Sequence, residues 1–318
     1  MNQSIEMVSR TPTYDAIIAL TRQLSNNDTK TTKRRQIASD LERQLSNYSV
    51  RKQLADEVSP GIGDYSTAVR RCKALQLLWS NALNASIHTV KSILKTKTKL
   101  SVEDIRLPYK ILRASSQPDY AFDTNGIGLT KLPKKSVRNA LKFCVEMLQN
   151  EKVTEVKGEE NMIDMLYFLC SRDEYVGYFK YTVDFQNILT EIFYRIREDD
   201  DEMEAPIELF EASCKVFDAL FSTCNRLGIQ NHIFISDSLE VVSRWCKKGI
   251  QENSFNSTTV TRQHFFNATA TILYSHPEHS IGPMKRYGRH ILRYCKKAYP
   301  CAQGHHKDAL NKYLLSHL

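Results

Sequence analysis

Leu, Ile, Val and Phe return at three- and four-residue intervals along most of this chain, with few of the alternating Val and Thr positions that would mark half-buried strands. That period places apolar side chains on one stripe of a helix. The expected fold class is therefore all-α. Only 11 glycines and 9 prolines interrupt the pattern, mostly between periodic segments. The spacing predicts helices over 12–26, 30–46, 64–85, 87–98, 135–150, 160–172 and 183–198. Later helices mark their own ends. Pro206 suits the first turn of a helix whose face runs Ile207, Phe210, Cys214, Phe217, Phe221 and Cys224, and Gly228 stands where a left-handed residue would stop it. Asp237 can cap a helix through Leu239, Val242, Trp245 and Cys246 that Gly249 would end. Thr261 opens a further helix through Phe265, Ala268 and Ile272, which His276-Pro277 breaks before Tyr287, Ile291, Tyr294 and Ala298. These lengths and short connections suit two-helix repeats of about 40 to 47 residues stacked as a right-handed α-solenoid of HEAT-like hairpins. The least patterned stretch, 115–133, holds Pro118, Gly126, Gly128 and Pro133 and is the expected joint within a solenoid spanning 1–318. The acidic run Glu198 to Glu204 reads as a solvated loop.

At 318 residues and 42% hydrophobic content the chain can bury a sizeable core. No window reaches 18 uncharged apolar residues, and Glu6, Asp15 and Asp28 stand where a leader would be apolar, so neither secretion nor membrane spanning is expected. The net charge of +8 conceals an asymmetry: 61–150 carries 15 basic and 6 acidic residues, 151–240 carries 8 and 20, and 241–318 carries 12 and 3. Alternating blocks give separate surfaces for polyanions and for basic partners. The 8 cysteines are scattered at helix-face positions, as small buried hydrophobes are in a reducing compartment. Cys295, Cys301, His305 and His306 come nearest to a metal pattern. Their Cys-Cys gap exceeds the two to four residues usual for zinc, so no metal is expected.

Phosphoryl transfer needs amides that cradle phosphate and acids that hold magnesium. Gly61-Ile-Gly63 and Gly126-Ile-Gly128 lack the third glycine and the lysine, and no Asp-Phe-Gly, His-Arg-Asp or Gly-x-Ser-x-Gly occurs. No catalytic residue, cofactor or small-molecule substrate is therefore expected of this chain. Basic clusters remain. Lys91, Lys95, Lys97 and Lys99, continuing to Arg106, Lys110 and Arg113, read first as a solvated helix face and second as a contact with phosphates or an acidic partner. Lys285, Arg286, Arg289, Arg293, Lys296 and Lys297 lie opposite Tyr287, Ile291 and Tyr294, so one face packs while the other is free to bind. Met162, Met165, Leu166, Phe168 and Leu169 read as core.

One further cluster, Lys30, Lys33, Arg34 and Arg35, opens the pattern Lys30-x3-Arg34-x6-Leu41-x3-Leu45. This spacing resembles the amino-terminal motif of the ataxia-telangiectasia-mutated (ATM) kinase family, Leu-x3-Lys-x3-Arg-x6-Leu-x2-Leu-Leu. Lys30, Arg34, Leu41 and Leu45 match; the leading leucine is Leu24, two residues early, and Gln44 replaces the penultimate leucine. Weaker likeness extends over the 132–196 helices and the Ile272 to Tyr294 pair. The resemblance implies a non-catalytic amino-terminal solenoid of a nuclear serine/threonine kinase, with the kinase domain outside this chain. It implies recruitment of partners such as a nibrin-like subunit of the break-sensing nuclease complex, in double-strand-break signalling and telomere maintenance. It also makes Ser116-Gln117 a candidate phosphorylation site. The rival readings are a self-standing nucleic-acid-binding α-repeat protein, whose DNA contacts would be the basic patches, and a nuclear transport adaptor. On either reading Lys30 and Arg34 form an exposed ridge and Leu41 and Leu45 anchor its helix, so reversing both charges should leave stability nearly unchanged.

Overall fold

A computed structural model describes residues 12–26, 31–47, 49–50, 53, 65–96, 99–115, 132–180, 183–196, 207–228, 239–240, 243, 246–247, 250, 277–301 and 304–315. Among them every regular element is helical and no strand occurs, as the three- and four-residue periodicity requires. The helices are α1 (Pro12–Ser25), α2 (Thr31–Ser46), α3 (Tyr65–Lys95), α4 (Val102–Ser115), α5 (Lys134–Leu148), α6 (Glu151–Glu155), α7 (Glu159–Cys170), α8 (Asp173–Val176), α9 (Val183–Ile196), α10 (Ile207–Arg226), α11 (Pro277–Ala298) and α12 (Gly304–Leu315), with a 3-10 turn at Tyr299–Cys301. The chain divides into two compact units, Met1–Met165 and Leu166–Leu318. Residues 116–131 of the joint expected at 115–133 and the acidic run 198–204 lie outside the described residues, as do the helix expected from Thr261 to Ile272 and most of the one expected after Asp237.

In the first unit, α1 packs on α2 and α3 packs on α4, while α1 also meets α3 and α2 meets α4. Consecutive helix pairs are thus stacked like on like, and α5 extends the layer by packing on α3. One expected pair of elements differs. The stretch expected as separate helices over 64–85 and 87–98 is one continuous helix, α3. Its polar residues at the expected break need no turn. The Ser86 hydroxyl donates to the Leu83 carbonyl (2.7 Å) and Thr89 to that of Ala85 (2.9 Å), so both are satisfied inside the helix. The basic stretch around 102–113, read as a helix face, is helical. Ser101 and Asp104 cap α4 reciprocally: the Asp104 amide donates to Ser101 Oγ (3.3 Å), and Asp104 Oδ2 accepts from the Ser101 amide (2.9 Å) and hydroxyl (2.6 Å). Pro108 lies inside this helix and is buried, a position its missing amide usually disfavours.

A polar seam fixes the register of α3 against α5. Ser80 and Ser136 share a hydrogen bond of 2.5 Å, and Asn139 donates to Asn84 Oδ1 (2.8 Å), so groups that would be costly if orphaned satisfy one another. The following turn is equally specific. Gly158 N–H donates to the Val153 carbonyl (2.8 Å) and Lys157 N–H to that of Thr154 (2.9 Å), the paired bonds that close a helix with a left-handed residue, here Lys157 at φ 54°.

In the second unit, α10 packs on α8 and α9 through Val216, Phe217, Leu220 and Cys224, all buried, and Phe185, Ile188 and Ile192 are buried on α9. Phe179 meets Phe185 edge to face at 6.1 Å, and Arg226 pairs with Asp173 at 2.8 Å. Gly228 follows α10 with φ 66°, the left-handed stop expected of it. Met162, Met165, Leu166 and Leu169 are fully buried, as expected of core, with Phe168 half-buried.

Gly158 is buried, and a Cβ built there would overlap Ile105 Cδ1 of α4 and stand 3.1 Å from Val153 Cγ1. Gly158→Ala should therefore destabilise by roughly 1 to 3 kcal/mol, as overpacking does, and urea denaturation should register the loss as a lower midpoint.

Candidate interaction surfaces

Residues separated by 7 and 11 positions in a helix lie within about 20° of one another when viewed down its axis. Arg34, Leu41 and Leu45 have those separations, so the motif spacing puts the arginine on the apolar stripe itself. Leu41 and Leu45 are buried, as expected, together with Ile37 and with Leu24 on α1. Arg34 is buried too, at 3% exposure. Its NH1 donates to Ser92 Oγ (2.6 Å) on α3 and its NH2 to the Asn26 carbonyl (2.7 Å) at the end of α1. This corrects the expected ridge: Arg34 is an internal strut joining three helices and is closed to a ligand. Lys30 lies outside the described residues, and Lys33 is exposed.

Three of the neighbouring cations, Arg35, Lys91 and Lys110, are engaged as well. Arg35 binds Asp104 in bidentate fashion, Nε to Oδ1 at 3.0 Å and NH2 to Oδ2 at 2.7 Å, and also donates to the Lys99 carbonyl. The carboxylate that caps α4 thus also holds α2. Lys91 pairs with Glu146 of α5 (2.5 Å), and Lys110 lies 3.4 Å from Glu42 and 3.5 Å from Glu103. The first patch is accordingly a set of inter-helix ion pairs with Lys95, Lys99, Arg106 and Arg113 exposed around it; Lys97 lies outside the described residues. Lys152 supports the same helix end, donating from Nζ to the Leu94 carbonyl (3.1 Å) near the negative pole of α3. On α3, His88 is exposed but partly desolvated. That burial, then the Arg34 guanidinium, then Lys95 push its imidazole below the usual pKa.

The second patch has the expected division of faces. On α11, Tyr294, Ile291, Cys295 and Ala298 are fully buried. Lys285, Arg286, Arg289, Arg293, Lys296 and Lys297 are all exposed. At 100° per residue those cations fall within an arc of about 120°, centred roughly opposite the buried stripe. Tyr287 lies beside that arc: its hydroxyl donates to Glu240 (3.1 Å), while the Arg286 guanidinium carbon stands over its ring at 5.9 Å.

Burial pushes the Cys144 and Cys295 thiols far above their usual range, so both stay protonated and unreactive; Cys170, Cys224 and Cys246 are also buried. Among the described residues no group of His, Cys, Asp and Glu is arranged to hold a metal ion, and no helix is long and apolar enough to cross a membrane. Ser116-Gln117 lies outside the described residues.

No protein-family model and no curated protein matches the chain. A solved structure described as the computational design of self-assembling cyclic protein homo-oligomers aligns over 95% of this chain and 92% of its own at 10% identity, with a TM-score of 0.28, too low to argue fold or function.

The geometry of α2 reverses one expectation about stability. Arg34→Glu should be as damaging as Leu41→Ala, each costing roughly 2 to 5 kcal/mol, because one sets a carboxylate against a carbonyl in the interior and the other opens a cavity. Lys33→Glu should stay within about 0.5 kcal/mol of wild type. Thermal denaturation of the three variants ranks them directly.

His88 supplies a pH signature. Its folded pKa lies below the 6.5 of the unfolded chain, so folding favours the neutral imidazole. The resulting stability is present above pH 6.5 and is lost as pH falls through the lowered folded value. Melting temperatures between pH 7.5 and about 5 should decline less steeply for His88→Gln than for wild type.

Proposed function

We propose that this chain is the amino-terminal helical region of an ATM-like serine/threonine kinase, a non-catalytic right-handed solenoid of HEAT-like hairpins that recruits protein partners. The observation that carries the reading is the common burial of Arg34, Leu41 and Leu45 on one stripe of α2, between helices of adjacent pairs. A motif whose spaced positions are interior is a packing signature, and packing signatures are what long helical-repeat proteins share when their surfaces diverge. The like-on-like stacking of α1 on α3 and α2 on α4 also supports it. On this reading the protein acts in the nucleus at DNA breaks and telomeres, and the partner is a nibrin-like subunit of the break-sensing nuclease complex. The solenoid contributes a long ridge for an extended peptide, while the phosphorylation of Ser/Thr-Gln sites belongs to a kinase domain elsewhere in the gene product.

Expressed in cells as a fluorescent fusion, the chain should gather at induced double-strand breaks when the nibrin-like subunit is present and fail to do so when it is deleted. The transcript should continue past Leu318 into a kinase domain. A folded chain that stays diffuse after damage, or a transcript with no kinase domain, would overturn the reading.

A further inference from the structure

We infer that the exposed face of α11 is a sequence-independent binding site for the phosphate backbone of duplex nucleic acid. Lys285, Arg289 and Arg293 stack one turn apart, Lys296 and Lys297 continue the strip, and Arg286 flanks it, so the cations extend over roughly 18 Å of helix axis. Like charges one turn apart oppose helix formation by about 0.2 to 0.5 kcal/mol per pair. Lys296 and Lys297 recover some of that by lying in the last turn, near the negative pole. Lys285, Arg286 and Arg289 are too far from that pole to do so. Among the described residues, Glu240 reaches α11 through the Tyr287 hydroxyl, off the strip. A linear polyanion is the ligand whose charge spacing matches a strip of this length, since duplex DNA carries one negative charge per roughly 1.7 Å of axis.

Three observations select a duplex backbone from among polyanions. Half of the strip is arginine, whose planar fork pairs with phosphate oxygens in bidentate fashion. Among the described residues of α11 the face offers no aromatic platform for unstacked bases: Tyr287 is committed to Glu240, and Tyr294 is buried. Single-strand binders depend on such platforms. Nor is α11 equipped to lie in a lipid surface. Membrane-bound amphipathic helices insert their apolar face, and here Ile291, Tyr294, Cys295 and Ala298 are already buried in the protein. The inference does not rest on the kinase-family reading, and a stand-alone protein would carry the same strip.

The test uses the purified full chain with a fluorescent duplex of about 25 base pairs, a single strand of equal length, and phosphatidylserine vesicles, each titrated over a range of salt. The duplex should bind best, irrespective of its sequence, with affinity falling as roughly the fourth to fifth power of salt concentration if about five phosphates are neutralised. Replacing Arg289, Arg293 and Lys296 together by Gln should lower affinity at least about tenfold in 100 mM salt and reduce that exponent by about 2 to 3, with the melting temperature unchanged. Arg289→Lys with Arg293→Lys should keep most of the affinity, because the charge is retained. A matched triple replacement of Lys95, Lys99 and Arg106 by Gln should leave duplex affinity as it was. Equal or tighter single-strand binding, vesicle binding lost in the α11 triple variant while the duplex is ignored, or duplex affinity that follows Lys95, Lys99 and Arg106 instead of α11 would each overturn the assignment.

Discussion

Everything in the first unit is arranged around the burial that α3 demands. Leu78, Trp79, Ala82, Leu83, Ala85, Ile87, Val90 and Ile93 are all buried, and they cover roughly 200° of its circumference, far more than the single stripe of a surface helix. One partner cannot cover so wide a face. The helix must therefore have neighbours on more than one side, and it has them in α1, α2, α4 and α5. Stacking of helix pairs follows from that requirement, since a lone hairpin of α3 with α4 would leave half of the apolar surface in water.

Charge in this unit serves packing before it serves recognition. Asp104 caps α4, accepts both hydrogens of Ser101 and grips Arg35, so one carboxylate fixes a helix start and its angle to α2 together. Lys91 and Glu146 likewise tie α3 to α5. Arg34 carries the principle furthest, holding a guanidinium in the interior with a hydroxyl and a carbonyl as its partners. A buried arginine of this kind contributes geometric specificity more than net stability, because its desolvation cost offsets much of what the hydrogen bonds return. The Ser80, Ser136, Asn84 and Asn139 seam is the uncharged counterpart: fully paired polar groups that penalise a slipped register.

The second unit uses its charges differently. On α11 the cations are solvated and crowded, the buried stripe is complete without them, and the local sequence carries 12 basic against 3 acidic residues over 241–318. The two basic patches differ in how far their cations are drawn between helices: Lys91 and Lys110 are half-buried, whereas all six cations of α11 are exposed. Where Glu42, Glu103, Asp104 and Glu146 face the cations, the patch becomes an interface between helices. On α11 the strip faces solvent.

By itself the sequence determined whatever depends on neighbours within a few turns. It carried the helical class, the left-handed stop at Gly228, the opposition of basic and apolar faces on α11, and the burial of Leu41, Leu45 and the described cysteines, because periodicity and turn chemistry are local properties. The Ser101 and Asp104 box is a local signal of the same kind, but the apolar periodicity alone did not bring it out. Tertiary structure decided the rest. Whether a cation at position 34, 35 or 91 meets water or an inter-helix partner depends on which helix lies across from it, and those partners stand 58, 69 and 55 residues away at Ser92, Asp104 and Glu146. The reading of Arg34 as exposed failed on angular position as well as on partner. Seven residues of helix return a side chain to the same stripe, and a stripe shared with Leu41 is driven inward by the hydrophobic effect unless the charged group finds hydrogen bonds that let it follow.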